Sequence, residues 1–250
     1  MQKVLLLLVL IIPYLSIAQK GIFKVNVVGG INSAFAIGPD AKQDRSEMKK
    51  SETEYSAKDG GSYSGRIYPR LGIHLGGTVD YYLTEKVSLT GGLIFSQRGY
   101  TRMVKYAYNQ TYPIDYKKSY ENRTKVKLNY IDLPIMAKYF FTKYFYINAG
   151  FQFCFLASEK YIEKKEFNET ELDNGEYKVV NIIEENTSSA DAKGFLGGFR
   201  IGAGITKKNV GLELNISKTG VPLRVIGISY GYPNLLLQCG LTYRIYPKNN

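Results

Sequence analysis

The chain contains a single histidine, His74, and its neighbours decide whether it can do acid–base chemistry. A histidine held beside a serine or a carboxylate can act as a general base in hydrolysis, and Ser96 and Asp80 are its candidate partners. His74 lies between Gly72 and Gly76 in a segment whose alternating pattern directs it into a protein interior. We therefore expect an ordinary interior histidine, no catalytic residue and no enzymatic activity; a lipid-modifying enzyme that depends on His74 is the alternative.

The remaining residues do not favour metal-binding chemistry. No cluster of histidine and cysteine has the spacing of a zinc site. The segment 159–193 is acidic and could hold a hard cation such as calcium, but it lacks the D-x-D-x-D-G spacing of a calcium loop. We expect neither a metal nor a cofactor, and we interpret the carboxylates of this segment as solvated charge.

Much of the chain alternates between apolar and polar residues, as strands with one apolar face do. Between residues 144 and 158, for example, Phe145 and Ile147 alternate with Tyr146 and Asn148. Eight strands of this kind are predicted, at residues 25–37, 70–82, 87–100, 127–140, 144–158, 194–206, 210–218 and 234–246.

The connections between these strands alternate strictly between long and short. Outer-membrane barrels have this asymmetry because their short turns face the periplasm and their long loops face outside the cell. The predicted fold class is therefore all-β, an eight-stranded antiparallel up-and-down transmembrane β-barrel with short periplasmic turns and long extracellular loops. The expected location is the bacterial outer membrane.

The interior of such a barrel is just wide enough to be filled by its own side chains. The inward charges are of both signs, and an unpaired buried ion would cost several kcal/mol. We therefore predict interior salt bridges and no open pore. The predicted interior polar network comprises His74, Asp80, Arg98, Asp132, Lys138, Arg200, Glu213 and Arg244.

The first residues of the chain predict export. A charged start precedes the apolar run 4–12, which is too short to span a bilayer, and Ser16-Ile17-Ala18 follows. This is the pattern of a signal peptide at residues 1–18, with cleavage after Ala18. Residues 19–250 are then expected to form one barrel domain.

The predicted fourth strand carries Tyr130, Pro134, Lys138 and Tyr139 at the spacing Y-x-x-x-P-x-x-x-K-Y. This strand, the segment 92–99 and the Ser-Ile-Ala-Gln junction resemble the PorT-type outer-membrane barrels of Bacteroidetes-like bacteria. The namesake of that family is associated with protein secretion and maturation at the cell surface, and the resemblance implies a link of this kind, although function lives in sites rather than in folds. Because proline is disfavoured within a strand, Pro134 also predicts a bulge or a bend.

The predicted loop 101–127 mixes basic residues with tyrosines. Such a mixture makes an adaptable contact surface and also suits the phosphates of lipopolysaccharide. The alternative is that these residues are strand ends that rise above the membrane. The candidate contact residues are Arg102, Lys105, Tyr108, Tyr112, Tyr116, Lys117, Lys118 and Arg123.

The formal net charge of +11 does not indicate a nucleic-acid partner. The excess lies in the predicted strands, in the loop 101–127 and in turn residues such as Lys86, Lys143 and Lys208, where a basic rim meets anionic headgroups. We expect a monomeric, non-enzymatic barrel whose loops contact a partner protein or an envelope glycan.

A soluble periplasmic barrel of the lipocalin kind is the remaining alternative. Such a barrel has an apolar interior that holds a ligand, and it would direct Phe151, Leu214 and Leu241 inward. The asymmetry of turns and loops argues against it.

Overall fold

The computed structural model describes residues 22–37, 39–56, 61–110, 116–173, 176–188, 194–221 and 234–246. The predicted signal peptide, residues 1–18, lies outside the described residues. Within the described ranges the chain forms nine strands and one helix. In chain order they are β1 (Ile22–Ala36), α1 (Pro39–Ser56), β2 (Ser62–Tyr82), β3 (Val87–Gln110), β4 (Tyr116–Phe140), β5 (Phe145–Asp173), β6 (Glu176–Ser188), β7 (Phe195–Lys207), β8 (Val210–Val221) and β9 (Asn234–Tyr246).

Eight of these strands pair side by side in a ring. Each is antiparallel to two neighbours in the order β1, β2, β3, β4, β5, β7, β8 and β9, and the pairing of β9 with β1 completes the ring. Among the described strands, β6 pairs with β5 alone and lies outside the ring. The antiparallel up-and-down arrangement is confirmed, but a total of eight strands is wrong because part of the segment 159–193 forms β6 where a loop was predicted.

Side chains alternate between the two faces of the ring as the sequence predicts. Along β8, for example, Leu212 is exposed on the outer face and Glu213 is buried on the inner face. The outward residues Phe151, Leu214 and Leu241 are 53%, 59% and 61% exposed. The ring therefore has an apolar outer belt and a polar interior, and the lipocalin-like alternative is wrong.

Short turns join the ring strands at one end, which we call the turn end. Two of these turns use the same capping contact, in which a threonine side chain accepts a hydrogen bond from the backbone N–H three residues later. Thr84 accepts from Val87 and Thr142 accepts from Phe145, both at 3.0 Å. In the tightest turn, between β7 and β8, Lys208 has a positive φ of 56°.

The opposite end, which we call the loop end, carries strands that continue beyond the ring. β1 pairs with β2 only as far as Arg70, and β7 pairs with β5 only as far as Phe155. Past those positions, parts of five strands remain paired to one another. We call this the projecting sheet; it comprises residues 62–69 of β2, 100–110 of β3, 116–127 of β4, 159–173 of β5 and 176–188 of β6.

The helix α1 packs against the projecting sheet. Met48 is buried against Gly65, where a Cβ atom would lie 2.6 Å from the Met48 Cγ. The ring of Tyr55 lies 5.8 Å from that of Tyr63 and 5.1 Å from that of Tyr106. Sequence patterns did not predict this helix, which occupies a segment interpreted as a loop. In the described part of the chain, no helix has the length and apolar character needed to cross a membrane.

The strand around Pro134 is regular. Pro134 pairs in register with Gln152 of β5. On its other side, residues 133 and 134 do not pair with β3, but the register of β4 with β3 is the same before and after this gap. The nearest irregularity in the pairing of β4 with β5 lies between Asn129 and Tyr130. The predicted bulge at Pro134 is therefore wrong, because the missing N–H removes pairing on one side of the strand without a shift in register; the bend that was predicted as its alternative stays a prediction.

Candidate functional site

The half of the interior nearer the turn end holds a charge cluster around Lys138. The Lys138 Nζ lies 3.0 Å from the Asp80 Oδ1 and 3.3 Å from the Glu213 Oε1. Asn26 and Thr90 donate hydrogen bonds to Asp80 at 2.9 and 2.6 Å. Further donors to Glu213 are Tyr146 and Asn215. One buried cation is thus shared by two buried carboxylates whose remaining oxygens also accept hydrogen bonds, as a stable buried ion cluster requires.

The half nearer the loop end holds a second cluster around Arg98. The guanidinium of Arg98 pairs with Asp132, and both side chains are fully buried. The Arg98 Nε donates to the Ser96 Oγ at 3.1 Å, and Asn32 donates to the same oxygen at 3.2 Å. Arg98 also lies over the ring of Tyr130, 4.7 Å from its centroid. These contacts fix the guanidinium in a single orientation and make it a structural link between β3 and β4.

His74 and Arg200 are two further buried residues of the predicted interior network. The Arg200 Nη1 lies 3.5 Å from the Gln152 Oε1. His74 is almost fully buried and its ring lies over the glycines of two neighbouring strands, so that a Cβ atom on Gly240 would lie 2.7 Å from the His74 Nε2. The imidazole therefore occupies the space that is left because Gly30 of β1 and Gly240 of β9 have no side chains.

The geometry does not assemble an acid–base pair around His74. Although His74 and Ser96 are register partners on β2 and β3, no hydrogen bond joins them in the described structure, and the His74 Nδ1 has no partner there. The Ser96 hydroxyl already accepts from Asn32 and Arg98, and Asp80 belongs to the Lys138 cluster. A hydrolytic relay needs hydrogen-bonded contact between these groups. Within the described ranges, no group of three or more His, Cys, Asp or Glu residues could hold a metal ion.

Arg244, the last residue of the predicted network, is separate from both clusters. It is half-buried near the turn end of β9, and its Nε is a buried atom without a hydrogen-bond partner among the described residues. The structure thus brings Asp80, Lys138 and Glu213 together and pairs Arg98 with Asp132. Arg244 lies apart from both groups, near the turn end of the ring.

The candidate contact surface proves to be part of the projecting sheet. Glu121 joins two of its cations, since the Lys105 Nζ lies 2.9 Å from the Glu121 Oε2 and the Arg123 Nη2 lies 2.8 Å from the Glu121 Oε1. The hydrogen bond from Lys105 and that from Arg123 lower the pKa of Glu121. Lys118 approaches Glu169 of β5 at 3.4 Å. The basic and acidic segments therefore neutralise each other as neighbouring strands.

The other candidate contact residues are distributed around this surface. Arg102 lies 3.9 Å from Asp44 of α1, and Tyr108 is half-buried. Tyr112 lies outside the described residues, and for Tyr116 and Lys117 only the backbone, as part of β4, is described. The described part of this segment belongs to the strands β3 and β4, an arrangement that fits both a contact surface and strand ends that rise above the membrane.

Sequence reasoning missed the residues that support this surface from α1 and β6. Two signals could have found the helix: Pro39 fits the first turn of a helix, and pairs four residues apart, such as Lys50 with Glu54, favour helix formation. The β-branched run Val179, Val180, Ile182 and Ile183 could have indicated β6. Both signals are weaker than the alternation of a strand that faces lipid.

Strand β6 forms an open edge of the projecting sheet. In the described chain its pairing partner is β5 alone, so one row of its backbone groups has no strand beside it. Ile182 and Ile183 are 52% and 56% exposed. Glu184 and Glu185 are exposed too, and neither has an ion-pair partner among the described residues.

The model of a family described as outer membrane protein beta-barrel domain matches residues 17–218. Among solved structures, the attachment invasion locus protein Ail of Yersinia pestis, in complex with the heparin analogue sucrose octasulfate, is 9% identical, with 91% of this chain and 100% of that chain covered and a TM-score of 0.35.

Two further solved structures are similar at the same low level. An outer membrane channel from Pseudomonas putida F1 is 9% identical, with 91% of this chain and 97% of that chain covered and a TM-score of 0.28. The translocator domain of the autotransporter NalP from Neisseria meningitidis is 9% identical, with coverages of 93% and 91% and a TM-score of 0.26. No curated protein sequence matches the chain. The match of the family model over most of the sequence shows that this chain belongs to the outer membrane protein beta-barrel domain family and resides in the bacterial outer membrane.

Proposed function

We propose that this protein is a non-enzymatic barrel of the outer membrane that holds the projecting sheet outside the cell, where the edge of β6 binds an extended segment of a partner protein. The turn end then faces the periplasm, in keeping with the general orientation of outer-membrane barrels. The observation that carries the proposal is the open edge of β6 on a sheet that the ring anchors.

The backbone of β6 offers the binding energy. An edge strand presents unpaired N–H and C=O groups, and an extended segment can add to it as a further strand. Natural sheets usually protect such an edge with a bulge, a proline or a covering element. The register of β6 with β5 is continuous over its 13 residues, so the strand is regular enough to template another.

The side chains of β6 define the chemistry of the partner. Ile182 and Ile183 are exposed on opposite faces of the sheet. Glu184 and Glu185 follow them; their register partners Lys165 and Lys164 form ion pairs with Glu163 and Glu166 on β5 instead, so neither glutamate has an ion pair in the described chain. A complementary segment carries apolar residues opposite the isoleucines and basic residues opposite the two glutamates.

Contact with lipopolysaccharide or another anionic glycan is the weaker candidate. The cations that suggested it are engaged by carboxylates, because Lys105 and Arg123 share Glu121 and Lys118 lies beside Glu169. Paired cations attract an anionic phosphate less strongly than free ones.

The resemblance to PorT-type barrels supports a partner that acts in protein secretion or in maturation at the cell surface. The absence of enzymatic activity is part of the proposal, and the geometry around His74 supports it. In the described structure no hydrogen bond joins the Ser96 hydroxyl to the imidazole, and the His74 Nδ1 has no partner.

The test is photocrosslinking in living cells. A photoreactive amino acid at Ile183 is expected to capture one discrete protein, whereas the same group at Lys125, which is exposed in the middle of β4, captures none. The double change Glu184→Lys and Glu185→Lys should abolish capture while the heat-dependent gel mobility of the folded barrel stays unchanged. Capture that survives the charge reversal, or that occurs equally at Lys125, contradicts binding at this edge.

Consecutive proline substitutions give a second readout. Neighbouring residues in a strand direct their N–H groups to opposite edges, so one of Ile182→Pro and Ile183→Pro removes a group from the open edge and the other disturbs pairing with β5. The proposal expects one of the two variants to lose the partner and keep the hydrogen-exchange protection of β5. Equal behaviour of both variants argues against strand addition.

A further inference from the structure

A basic cavity opens at the turn end of the ring. Its volume is about 600 Å³, within the range of roughly 300–1,000 Å³ that is usual for small-molecule sites. The lining comes from β1, from the three short turns and from β9, so the whole circumference of the ring contributes. Its charged residues are Lys24, Glu85, Lys86, Lys143, Lys208 and Arg244. We call this the mouth cavity.

The cations of the mouth cavity are not neutralised. No ion pair involves any of its five cationic side chains within the described part of the chain. Two of them rest on tyrosine rings, since the Lys24 Nζ lies 3.9 Å from the centroid of Tyr82 and the Lys143 Nζ lies 4.9 Å from that of Tyr144. These contacts orient the lysines without cancelling their charge.

The floor of the cavity does not supply the missing anions. A smaller adjoining cavity shares Tyr82, Phe140, Thr206, Lys208 and Arg244 with the mouth cavity and reaches the buried carboxylates below. Those carboxylates, on Asp80 and Glu213, already share the cation of Lys138 and accept hydrogen bonds from neighbouring side chains. Their charge is therefore engaged inside the ring.

One nitrogen atom of the lining indicates that the arrangement serves a ligand. The Arg244 Nε is a buried nitrogen that lacks a hydrogen-bond partner among the described residues, and such a donor usually has one. Lys208, whose positive φ of 56° is what a two-residue hairpin turn requires, adds a second cation beside it. Both residues line the mouth cavity and the smaller cavity beneath it.

Basic turns also occur where a barrel meets anionic lipid headgroups. Headgroups surround the outside of a ring, however, whereas these side chains line a concavity at its mouth. Contact with the membrane surface does not account for the buried, unpartnered Nε of Arg244 inside that concavity.

We propose that the mouth cavity binds a small soluble polyanion, a compound with two or more phosphate or carboxylate groups. Several cations spread over the circumference match several anionic groups better than one. A phosphate or carboxylate oxygen supplies the acceptor that the Arg244 guanidinium lacks. This site is independent of the partner proposed for β6, which lies at the opposite end of the ring.

The test is calorimetric titration of the purified, folded barrel in a non-ionic detergent. Inorganic pyrophosphate is the phosphate probe and citrate is the carboxylate probe, and their ranking identifies the preferred chemistry. Arg244→Gln and Lys208→Asn are each expected to weaken binding at least about tenfold, which corresponds to about 1.4 kcal/mol, because each removes a charged hydrogen-bond donor. Asparagine tolerates the positive φ of Lys208, so that variant keeps the turn.

The matched control is Lys125→Gln, which removes an exposed cation of the projecting sheet and should change affinity less than about twofold. Heat-dependent gel mobility verifies that every variant is folded, and Arg244→Lys, which keeps the charge, should retain more affinity than Arg244→Gln. Binding of neither probe, or equal weakening by Lys125→Gln, overturns the proposal because binding would then reflect net charge alone.

Discussion

The two ends of the ring carry similar kinds of charged residues but use them differently. In the projecting sheet, Lys105 and Arg123 each form an ion pair with Glu121, so these surface cations lie beside a carboxylate. At the turn end, Lys208 and Arg244 line a cavity and have no ion-pair partner within the described ranges. Whether a segment rich in basic residues forms a neutral or a basic surface thus depends on whether the fold places carboxylates next to it.

Strand geometry explains the difference. Adjacent antiparallel strands hold opposite side chains about 5 Å apart, so a basic strand beside an acidic one pairs its charges. Lys118 and Glu169, which are direct register partners on β4 and β5, show this arrangement. Lys86 and Lys143 lie in the short turns, and in the described structure neither forms an ion pair.

The largest effect is expected from the buried cation beneath the mouth cavity. Lys138→Met leaves the carboxylates of Asp80 and Glu213 buried without their shared cation, and removal of one member of a buried ion cluster costs about 3–5 kcal/mol. We expect the urea concentration at the midpoint of unfolding to fall sharply. The control Lys86→Met removes an exposed cation of the same mouth and should leave the urea midpoint nearly unchanged, and equal losses would contradict the distinction between the two.

A comparison of two exposed leucine-sized positions separates the lipid-facing belt from the projecting sheet. Leu214 is 59% exposed near the middle of β8, and Ile183 is 56% exposed on β6. Leu214→Arg should impair membrane assembly, since arginine at the bilayer midplane costs about 2–4 kcal/mol, whereas Ile183→Arg meets water. The yield of heat-modifiable protein in the outer-membrane fraction measures this, and normal assembly of Leu214→Arg would refute the assigned belt.

A smaller effect is expected where α1 packs on the projecting sheet. Gly65→Ala introduces a Cβ 2.6 Å from the Met48 Cγ, and crowding of this kind costs about 1 kcal/mol when the neighbour is flexible. Hydrogen exchange in α1 should become faster. Gly91→Ala is the matched control, because its Cβ would meet nothing within 4 Å; faster exchange of α1 in that variant too would remove packing as the cause.

The smallest effect concerns pH and the neutralised surface. Because hydrogen bonds from Lys105 and Arg123 lower the pKa of Glu121 in the folded protein, this carboxylate stabilises the sheet above its ordinary pKa of about 4.5. That contribution, at most about 1 kcal/mol for an exposed pair, is lost as the pH falls through the lower folded-state value. Hydrogen-exchange protection of β3 and β4, corrected for intrinsic exchange rates, should decline in the native protein as Glu121 becomes protonated. In Glu121→Gln the same protection should depend less on pH.

The parts of the fold that face lipid were predictable, and the parts that face water were not. The strand containing Leu214 alternates strictly because one face meets hydrocarbon, so period two is visible in the sequence. In the projecting sheet both faces meet water, and β6 carries Ile182, Ile183, Glu184 and Glu185 in succession without that period. The helix α1 is polar for the same reason, and it was interpreted as a loop.

The candidate residues divide along the same line. Lys138 could be assigned to the interior from its position in an alternating strand, and its contact with Asp80 follows from the closeness of the inward faces. The pairing of Lys118 with Glu169 could not be foreseen, because it depends on β5 continuing beside β4 far past the ring. Arg244 was grouped with the interior charges, yet its place at the mouth depends on the end of β9 and on the turns around it.

The ring is completed by its first and last strands, with Gly30 of β1 opposite Gly240 of β9. The thirteen residues of β9 therefore complete the ring that the other seven strands begin. Until β9 is in place, β1 and β8 each expose an edge of unpaired backbone N–H and C=O groups. Lipid hydrocarbon offers these groups no hydrogen-bond partner. Assembly in the membrane must consequently wait for the last strand to be available, and a chain that stops before β9 is expected to aggregate rather than to insert as a smaller barrel.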